Sequence, residues 1–276
     1  MRLVGKVAVV TGTSPNINGA IAIEMAAEGA ALVCVDANPT YALACAEAIQ
    51  RAGGEALGIA CDVTDESAVQ NMVRQARDRF GGIDILVNGA AIQIRKGLFT
   101  LPVEEFRRQL DVMLIGTFLC TKYVAQLLIE QGHGGSIINI GSTEGHQGNL
   151  DNIGYGTAKG AVLHFTRIAA MELAKYGIRV NSLTPTATDP SEGAHRAAIW
   201  GVHWAPEVVQ WRDDFTRGDA GIPLGKRPSP WHYARAAVFL ASDDAAMITG
   251  IDLRVDAGVI ARYWRWNPGT KFESPL

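Results

Sequence analysis

Cysteine is scarce in this chain, with four among 276 residues. Cys34, Cys45, Cys61 and Cys120 have neither CxxC nor metal-ligand spacing, so neither a disulfide framework nor a metal site is expected. Cys34 falls in a predicted strand and Cys120 in a predicted helix, which makes buried thiols the expectation. Charge is scarce too: 19% of residues are charged, the net charge is −3, and no run of one sign occurs. That leaves no basic patch for nucleic acid. No apolar stretch approaches the ~20 residues that span a bilayer. The chain opens directly on Gly5-Lys6-Val7-Ala8-Val9-Val10 with no secretory leader pattern. These absences predict a cytoplasmic protein without membrane or nucleic-acid partners.

Hydrophobic residues, by contrast, make up 48% of the chain, enough for a well-buried core. Short apolar runs alternate with helical patterns. Strands are predicted at Val7 to Thr11, Ala31 to Val35, Ala56 to Ala60, Ile83 to Val87, Ser136 to Ile140, Arg179 to Leu183 and Asp252 to Val255. Helices are predicted at Ala20 to Glu28, Tyr41 to Arg51, Glu66 to Phe80, Val103 to about Leu114, Gly116 to Glu130, and Trp231 to Ala241, with one more around Tyr155. The first four strand runs are too uniformly apolar to be half-exposed; they suit a parallel sheet covered on both faces. Unbroken βα alternation predicts one doubly wound, Rossmann-like α/β domain over residues 1–261. Residues 188–227 interrupt the rhythm with a connection far longer than usual, carrying Trp200, His203, Trp204, Trp211 and Phe215. A substrate lid with some helix of its own is expected there.

Tyr155-Gly156-Thr157-Ala158-Lys159 is the most informative motif. Residues i and i+4 of a helix share a face, so a phenol and an ammonium lie one turn apart. An ordinary tyrosine has a pKa of ~10 and is a poor base at neutral pH. A nearby cation favours the phenolate and lowers that value. Ser142, upstream, offers a hydroxyl to hold a substrate oxygen. The chemistry expected is proton transfer at an alcohol or carbonyl. Taken alone, the motif is short enough that a core tyrosine and a solvated lysine would also account for it.

In a doubly wound sheet, ligands bind at the carboxyl ends of the strands. After the first strand comes Thr11-Gly12-Thr13-Ser14-Pro15-Asn16-Ile17-Asn18-Gly19, a turn leading into a helix N-terminus suited to a pyrophosphate. Asp36, after the second strand, is placed to accept from an adenosine ribose diol and to repel a 2′-phosphate, so NAD is expected over NADP. Asp62-Val63 would meet the adenine, and Asn88-Gly89-Ala90-Ala91 lies where the cofactor would cross.

Those residues, with Ser142, Tyr155-x-x-x-Lys159, Arg179-Val180-Asn181, Pro185, Pro223-Leu224-Gly225, Thr249-Gly250 and Val255-Asp256, resemble the short-chain dehydrogenase/reductase family over nearly the whole chain. Each motif is weak alone; their order and spacing together are specific. The resemblance implies a nicotinamide dinucleotide and a homo-oligomer, tetramer or dimer. It implies Ser142, Tyr155 and Lys159 as catalytic residues. It implies cofactor contacts at Gly12, Ser14, Asn16, Ile17, Asp36, Asp62, Val63, Asn88, Ala90, Tyr155, Lys159, Pro185 and Thr188. Tyr155 would exchange a proton with the substrate oxygen while hydride passes to or from the nicotinamide. Four departures stand out. Asn16 and Asn18 take the second and third glycine places, with Gly19 one position late. Met113 takes the place of an asparagine that holds a proton-relaying water. Thr186 follows Pro185 where a glycine is usual. Pro190 replaces a carboxamide-binding threonine, a role Thr188 could assume.

Gln93, Arg95, Glu144, Gln147 and Trp204 are the candidate substrate contacts. Polar groups beside tryptophans suit a hydroxylated ring: a polyol or sugar, or an aromatic or alicyclic alcohol. Two other readings stay open: a non-redox lyase or dehalogenase on the same scaffold, and a non-catalytic dinucleotide-binding protein. Residues 262–276 form an aromatic tail, including Tyr263, Trp264 and Trp266, expected to pack on a neighbouring subunit.

Overall fold

The strands are β1 (Val7–Thr11), β2 (Ala31–Asp36), β3 (Ala56–Ala60), β4 (Ile85–Asn88), β5 (Gly135–Ile140), β6 (Ile178–Pro185) and β7 (Asp252–Val255). In the computed structural model, which describes residues 1–204 and 222–262, they form one parallel sheet ordered β3-β2-β1-β4-β5-β6-β7. Every residue of β1 and β4 is buried, which is why these runs show no polar alternation.

The helices are α1 (Ile17–Ala27), α2 (Pro39–Arg51), α3 (Glu66–Phe80), α4 (Val103–Leu110), α5 (Gly116–Gln131), α6 (Ile153–Leu173), α7 (Pro190–Trp200) and α8 (Pro230–Ala241). One apolar core joins Ile21 and Met25 of α1, Ile49 of α2 and Tyr233 and Val238 of α8. The other joins Val69 and Met72 of α3, Leu119 and Leu128 of α5 and Ala170 of α6. The four cysteines are buried free thiols. Local signals start the helices. Asn38 accepts from Thr40 N ahead of α2, and Asp65 accepts from Ser67 N and Ala68 N ahead of α3, caps each worth about 1 kcal/mol.

The strand order reverses between β1 and β4, so the loops after β1 and β4 part to either side of a crevice at the carboxyl ends. A buried polar ladder ties these ends together. Asn88 Nδ2 donates to Thr121 Oγ1 at 3.0 Å and to Asn139 Oδ1 at 2.8 Å, and Asn139 Nδ2 donates to Thr166 Oγ1 at 2.9 Å.

Three features differ from expectation. Helix α1 starts at Ile17 rather than Ala20, because Gly19 N and Ala20 N already bond to Ser14 O and Asn16 O. Helices α4 and α5 are continuous through a π-turn at Asp111–Ile115, which shifts the helical periodicity without breaking the chain. The resulting run, Val103–Gln131, is long and apolar enough to cross a membrane by length and composition, contrary to expectation. Its Leu119, Val124 and Leu128 instead pack into the second core, as a core helix does. The long connection after β6 contains α7, opened by Pro190 at its first turn and capped by Asp189, which accepts from Ser191 N at 2.8 Å. Trp211, Phe215 and tail residues 263–276 lie outside the described residues.

Asn139 is fully buried at the centre of the ladder. Asn139→Ala should cost about 2–3 kcal/mol, since it strands buried partners on both sides. The check is a lower urea midpoint with unchanged slope.

Candidate active site

Two recesses open at the carboxyl ends of the strands and share the turn from Gly12 to Asn16 as a border. The smaller, about 290 Å³, is lined by Gly12, Asp36, Asp62, Val63 and Ala90, among others. The larger, about 710 Å³, is lined by Asn16, Ser142, Tyr155 and Thr188 together with Gln93, Arg95, Glu144 and Gln147. Most of the residues read from the sequence as cofactor or substrate contacts therefore line one or other of these two recesses.

Gly12 makes the close approach between the turn and the loop after β4. Its φ is +73°, and a Cβ there would lie 2.8 Å from Ala90 Cα. The asparagines of the turn do different work. Asn18 Nδ2 donates to Gly12 O at 3.1 Å and to Gly89 O at 2.8 Å, stitching the turn to the end of β4. Asn16 is partly buried and its Oδ1 has no partner, so this carboxamide still has hydrogen-bonding capacity toward the cavity it lines. Gly19 takes over the close-packing role: a Cβ on it would sit 2.4 Å from Ser14 O and 2.8 Å from the Trp200 ring. Of the other expected contacts, Ser14 spends its carbonyl on Gly19 N, Ile17 packs on the first core, and Pro185 ends β6 beside Val255. Asn88 is turned inward into the polar ladder, so the crevice is met by the backbone after it instead.

In the smaller recess, Asp36 Oδ1 accepts from Asn38 N at 2.9 Å. Burial pushes its carboxyl up to about 6, with the Asn38 hydrogen bond opposing. Asp62 Oδ1 accepts from Thr64 N and Thr64 Oγ1, which fixes that loop. The residues present could hold a nicotinamide dinucleotide: a glycine that lets backbone approach closely and a partly desolvated carboxylate at the end of β2.

In the larger recess, Ser142 caps a short 3₁₀ turn, accepting from Glu144 N at 3.1 Å, and hydrogen-bonds Tyr155. Lys159 is buried and its Nζ donates to Ile140 O at 2.6 Å, 5.7 Å from the centre of the Tyr155 ring. One expectation is corrected here. Burial pushes the Tyr155 phenol up to about 12; the Ser142 hydrogen bond lowers it, the Glu144 charge raises it and the Arg95 charge lowers it. Burial has pushed the Lys159 ammonium down to about 8, and it points at the β5 carbonyl.

Trp204 is a second correction. A Cβ on Gly193 would meet its ring at 2.7 Å, so this side chain folds back on α7 rather than lining the cavity. Gly201, at φ 68°, reverses the chain after α7 and causes this. The four departures acquire positions. Thr188 Oγ1 bonds Thr186 O and Tyr233 OH at the cavity wall, Pro190 opens α7, and Met113 is a buried apolar group inside the π-turn. Two residues went unnoticed in the sequence. Gln109, fully buried one turn before Met113, accepts on Oε1 from Ile94 N at 3.0 Å, and a Cβ on Gly154 would lie 2.2 Å from its Nε2. It thus packs the Gln93–Arg95 wall against the first turn of α6, which carries Tyr155. The other is Arg196 of α7. A polar residue in a helical pattern gave no signal that either was buried.

The Enoyl-(Acyl carrier protein) reductase family profile matches residues 12–260. The chain is 37% identical to D-threitol dehydrogenase of Mycolicibacterium smegmatis over 93% of this chain and 94% of that protein. It is 36% identical to a 2,5-dichloro-2,5-cyclohexadiene-1,4-diol dehydrogenase of Sphingobium indicum, over 94% and 98%. Among solved structures, a short-chain type dehydrogenase/reductase from Mycobacterium marinum superposes with a TM-score of 0.81 at 33% identity, covering 94% of this chain and 97% of that one.

Lys159 gives a stability prediction. Between pH of about 8 and 10.5 the unfolded lysine keeps a proton that the native one has lost, so its contribution makes stability rise with pH across that window. Below about 8 the full cost of burying the charge applies. Lys159→Met should remove this rise and leave the protein more stable at pH 7; urea midpoints taken from pH 7 to 10.5 decide it.

Proposed function

The chain belongs to the short-chain dehydrogenase/reductase family, and we propose that within it this protein is an NAD-dependent alcohol dehydrogenase acting on a hydroxylated ring compound or polyol. The observation that carries the reading is the joint placement of Ser142 and Tyr155 on one cavity wall, with Lys159 a helical turn behind and Asp36 in the adjoining recess. Two relatives are named for alcohols with more than one hydroxyl, threitol and a cyclohexadienediol, which supports the substrate class. The cavity's Gln93, Glu144, Gln147 and Asn149 provide polar partners for additional hydroxyls.

The dinucleotide supplies the hydride acceptor and, when oxidised, a positive charge. Asp36 accepts from the ribose diol and, ionised, repels a 2′-phosphate. Ser142 orients the substrate oxygen and stabilises charge on it. Tyr155 takes the hydroxyl proton in oxidation and returns it in reduction. A phenol held near 12 by burial is a poor base, so its ionisation must be assisted in the working complex. The lysine ammonium and the charge of the oxidised coenzyme both act in that direction.

Copies of the chain associate on this reading, as a tetramer or dimer. Ile115 and Phe118 of the α4–α5 run and Ile168 and Met171 of α6 are apolar and exposed, an arrangement suited to a subunit contact. Free buried thiols suit a reducing cytoplasmic setting.

Tyr155→Phe should abolish NADH formation across a panel of polyols and cyclic diols while NAD affinity stays within about twofold. Binding of NAD with no turnover of any alcohol by the wild type would favour a non-catalytic binder, and no binding a non-redox enzyme. Asp36→Ala should weaken NAD about tenfold, the worth of a charge-assisted hydrogen bond. In the wild type the preference for NAD over NADP should narrow as pH falls through about 6, where the carboxylate is neutralised. A preference that does not change with pH would contradict that role. Truncation after Ala261 should alter oligomeric state or kinetics if the tail covers a neighbouring subunit; unchanged behaviour refutes that contact.

A further inference from the structure

Helix α7 is docked on the phosphate turn by a guanidinium. Arg196 is 6% exposed, and its Nη1 donates to Pro15 O at 2.6 Å and to Asn16 O at 3.3 Å. Its other side stacks on Trp231 of α8, the guanidinium carbon lying 5.1 Å from the ring centre. Trp200, one turn on, packs against Gly19 at the start of α1. Tyr41 Oη of α2 donates to His203 O at 2.8 Å, fastening the chain just after α7.

The peptide groups around Arg196 are trans, and a trans peptide directs its C=O and N–H to opposite sides. Holding the Pro15 oxygen toward α7 therefore turns the N–H of Asn16 away from it, and the Asn16 oxygen, shared between Arg196 at 3.3 Å and Ala20 N at 3.1 Å, does the same for the N–H of Ile17. As the leading N–H groups of α1 they have no intrahelical acceptor, and Asn16 lines the crevice. A turn with glycine at these places relies on backbone freedom to reach such a conformation. Here the asparagine-bearing turn is held by side chains from both flanks: Asn18 bonds it to Gly12 and Gly89, and Arg196 bonds it to α7.

We infer that Arg196 is a positioning residue for the coenzyme: by fixing the Pro15 and Asn16 carbonyls it aims the N–H groups of Asn16 and Ile17 at the dinucleotide's diphosphate. It touches neither substrate nor coenzyme. The inference rests on the coenzyme reading above, and it explains how a turn without its second and third glycines still offers a diphosphate site. It also makes α7 part of the coenzyme site, so the first segment of the long connection is a fixed brace.

The test is ligand binding rather than turnover. Affinities for NAD and ADP-ribose are measured by calorimetry, and that for adenosine by ligand-observed NMR, in wild type, Arg196→Met and Arg196→Lys. Adenosine carries no phosphate and reports on the Asp36 recess alone. Arg196→Met should weaken NAD and ADP-ribose about tenfold or more, because the turn's N–H groups are no longer held in line before the ligand arrives, and leave adenosine unchanged. Arg196→Lys should recover most of the loss, since an ammonium can also donate to both carbonyls. Unchanged ADP-ribose binding in Arg196→Met overturns the inference. So does an equal loss for adenosine, which would show Arg196 acting through the fold at large. If Arg196→Met does not fold, loss of ADP-ribose affinity in Arg196→Lys that matches its loss for adenosine overturns it in the same way. Wild type that binds none of the three ligands defeats the coenzyme reading itself, an outcome distinct from these.

Discussion

Inside the crevice wall, one carbonyl holds one ammonium: Lys159 Nζ donates to Ile140 O at 2.6 Å, with almost no exposure to solvent. A buried cation with a single neutral partner is poorly compensated, and burial has driven its proton affinity down to about 8 as a result. The fold has placed it there by construction. The carboxyl end of β5 supplies the carbonyl, α6 supplies the lysine, and the i to i+4 spacing sets Tyr155 on the same face. Nothing in this arrangement favours stability, as an apolar side chain would pack there without the desolvation cost. On the proposed function it serves chemistry, a cation kept close behind a phenol that must ionise.

The phenol is not acidic in this arrangement. Burial outweighs the Ser142 hydrogen bond and leaves Tyr155 near 12. Burial drives the two groups apart, the phenol up and the ammonium down, so that each prefers its neutral form. On the proposed function, an oxidised nicotinamide bound beside Tyr155 would supply a positive charge that favours the phenolate. Proton transfer would then, on that reading, be coupled to coenzyme binding.

Sequence patterns made the sheet and most of the site legible. Uniformly apolar strands, Asp36 after β2 and the Tyr155–Lys159 spacing each follow from local rules, and all fall where strand ends converge. What was illegible depends on tertiary packing. The π-turn at Asp111–Ile115 shifts register without any glycine or proline to mark it. Asn88 looked like a crevice residue from its place after β4, but its amide is spent on Thr121 and Asn139, partners far away in sequence. Trp204 was read as a pocket aromatic, and the reversal at Gly201 sends it back onto α7. Gln109 and Arg196 are polar residues in helices, and their burial becomes visible only once α6 and the phosphate turn are packed against them. The burial of the phenol is equally hidden, because spacing shows proximity and says nothing of desolvation.

The most direct measurement is the ionisation of Tyr155 itself, read as the phenolate absorbance difference between wild type and Tyr155→Phe across alkaline pH, with and without saturating NAD. The prediction is a midpoint at about 12 in the free protein, moving down toward neutrality when NAD is bound. A midpoint that NAD leaves in place would contradict a coenzyme-assisted phenolate, and with it the role assigned to the Lys159 ammonium.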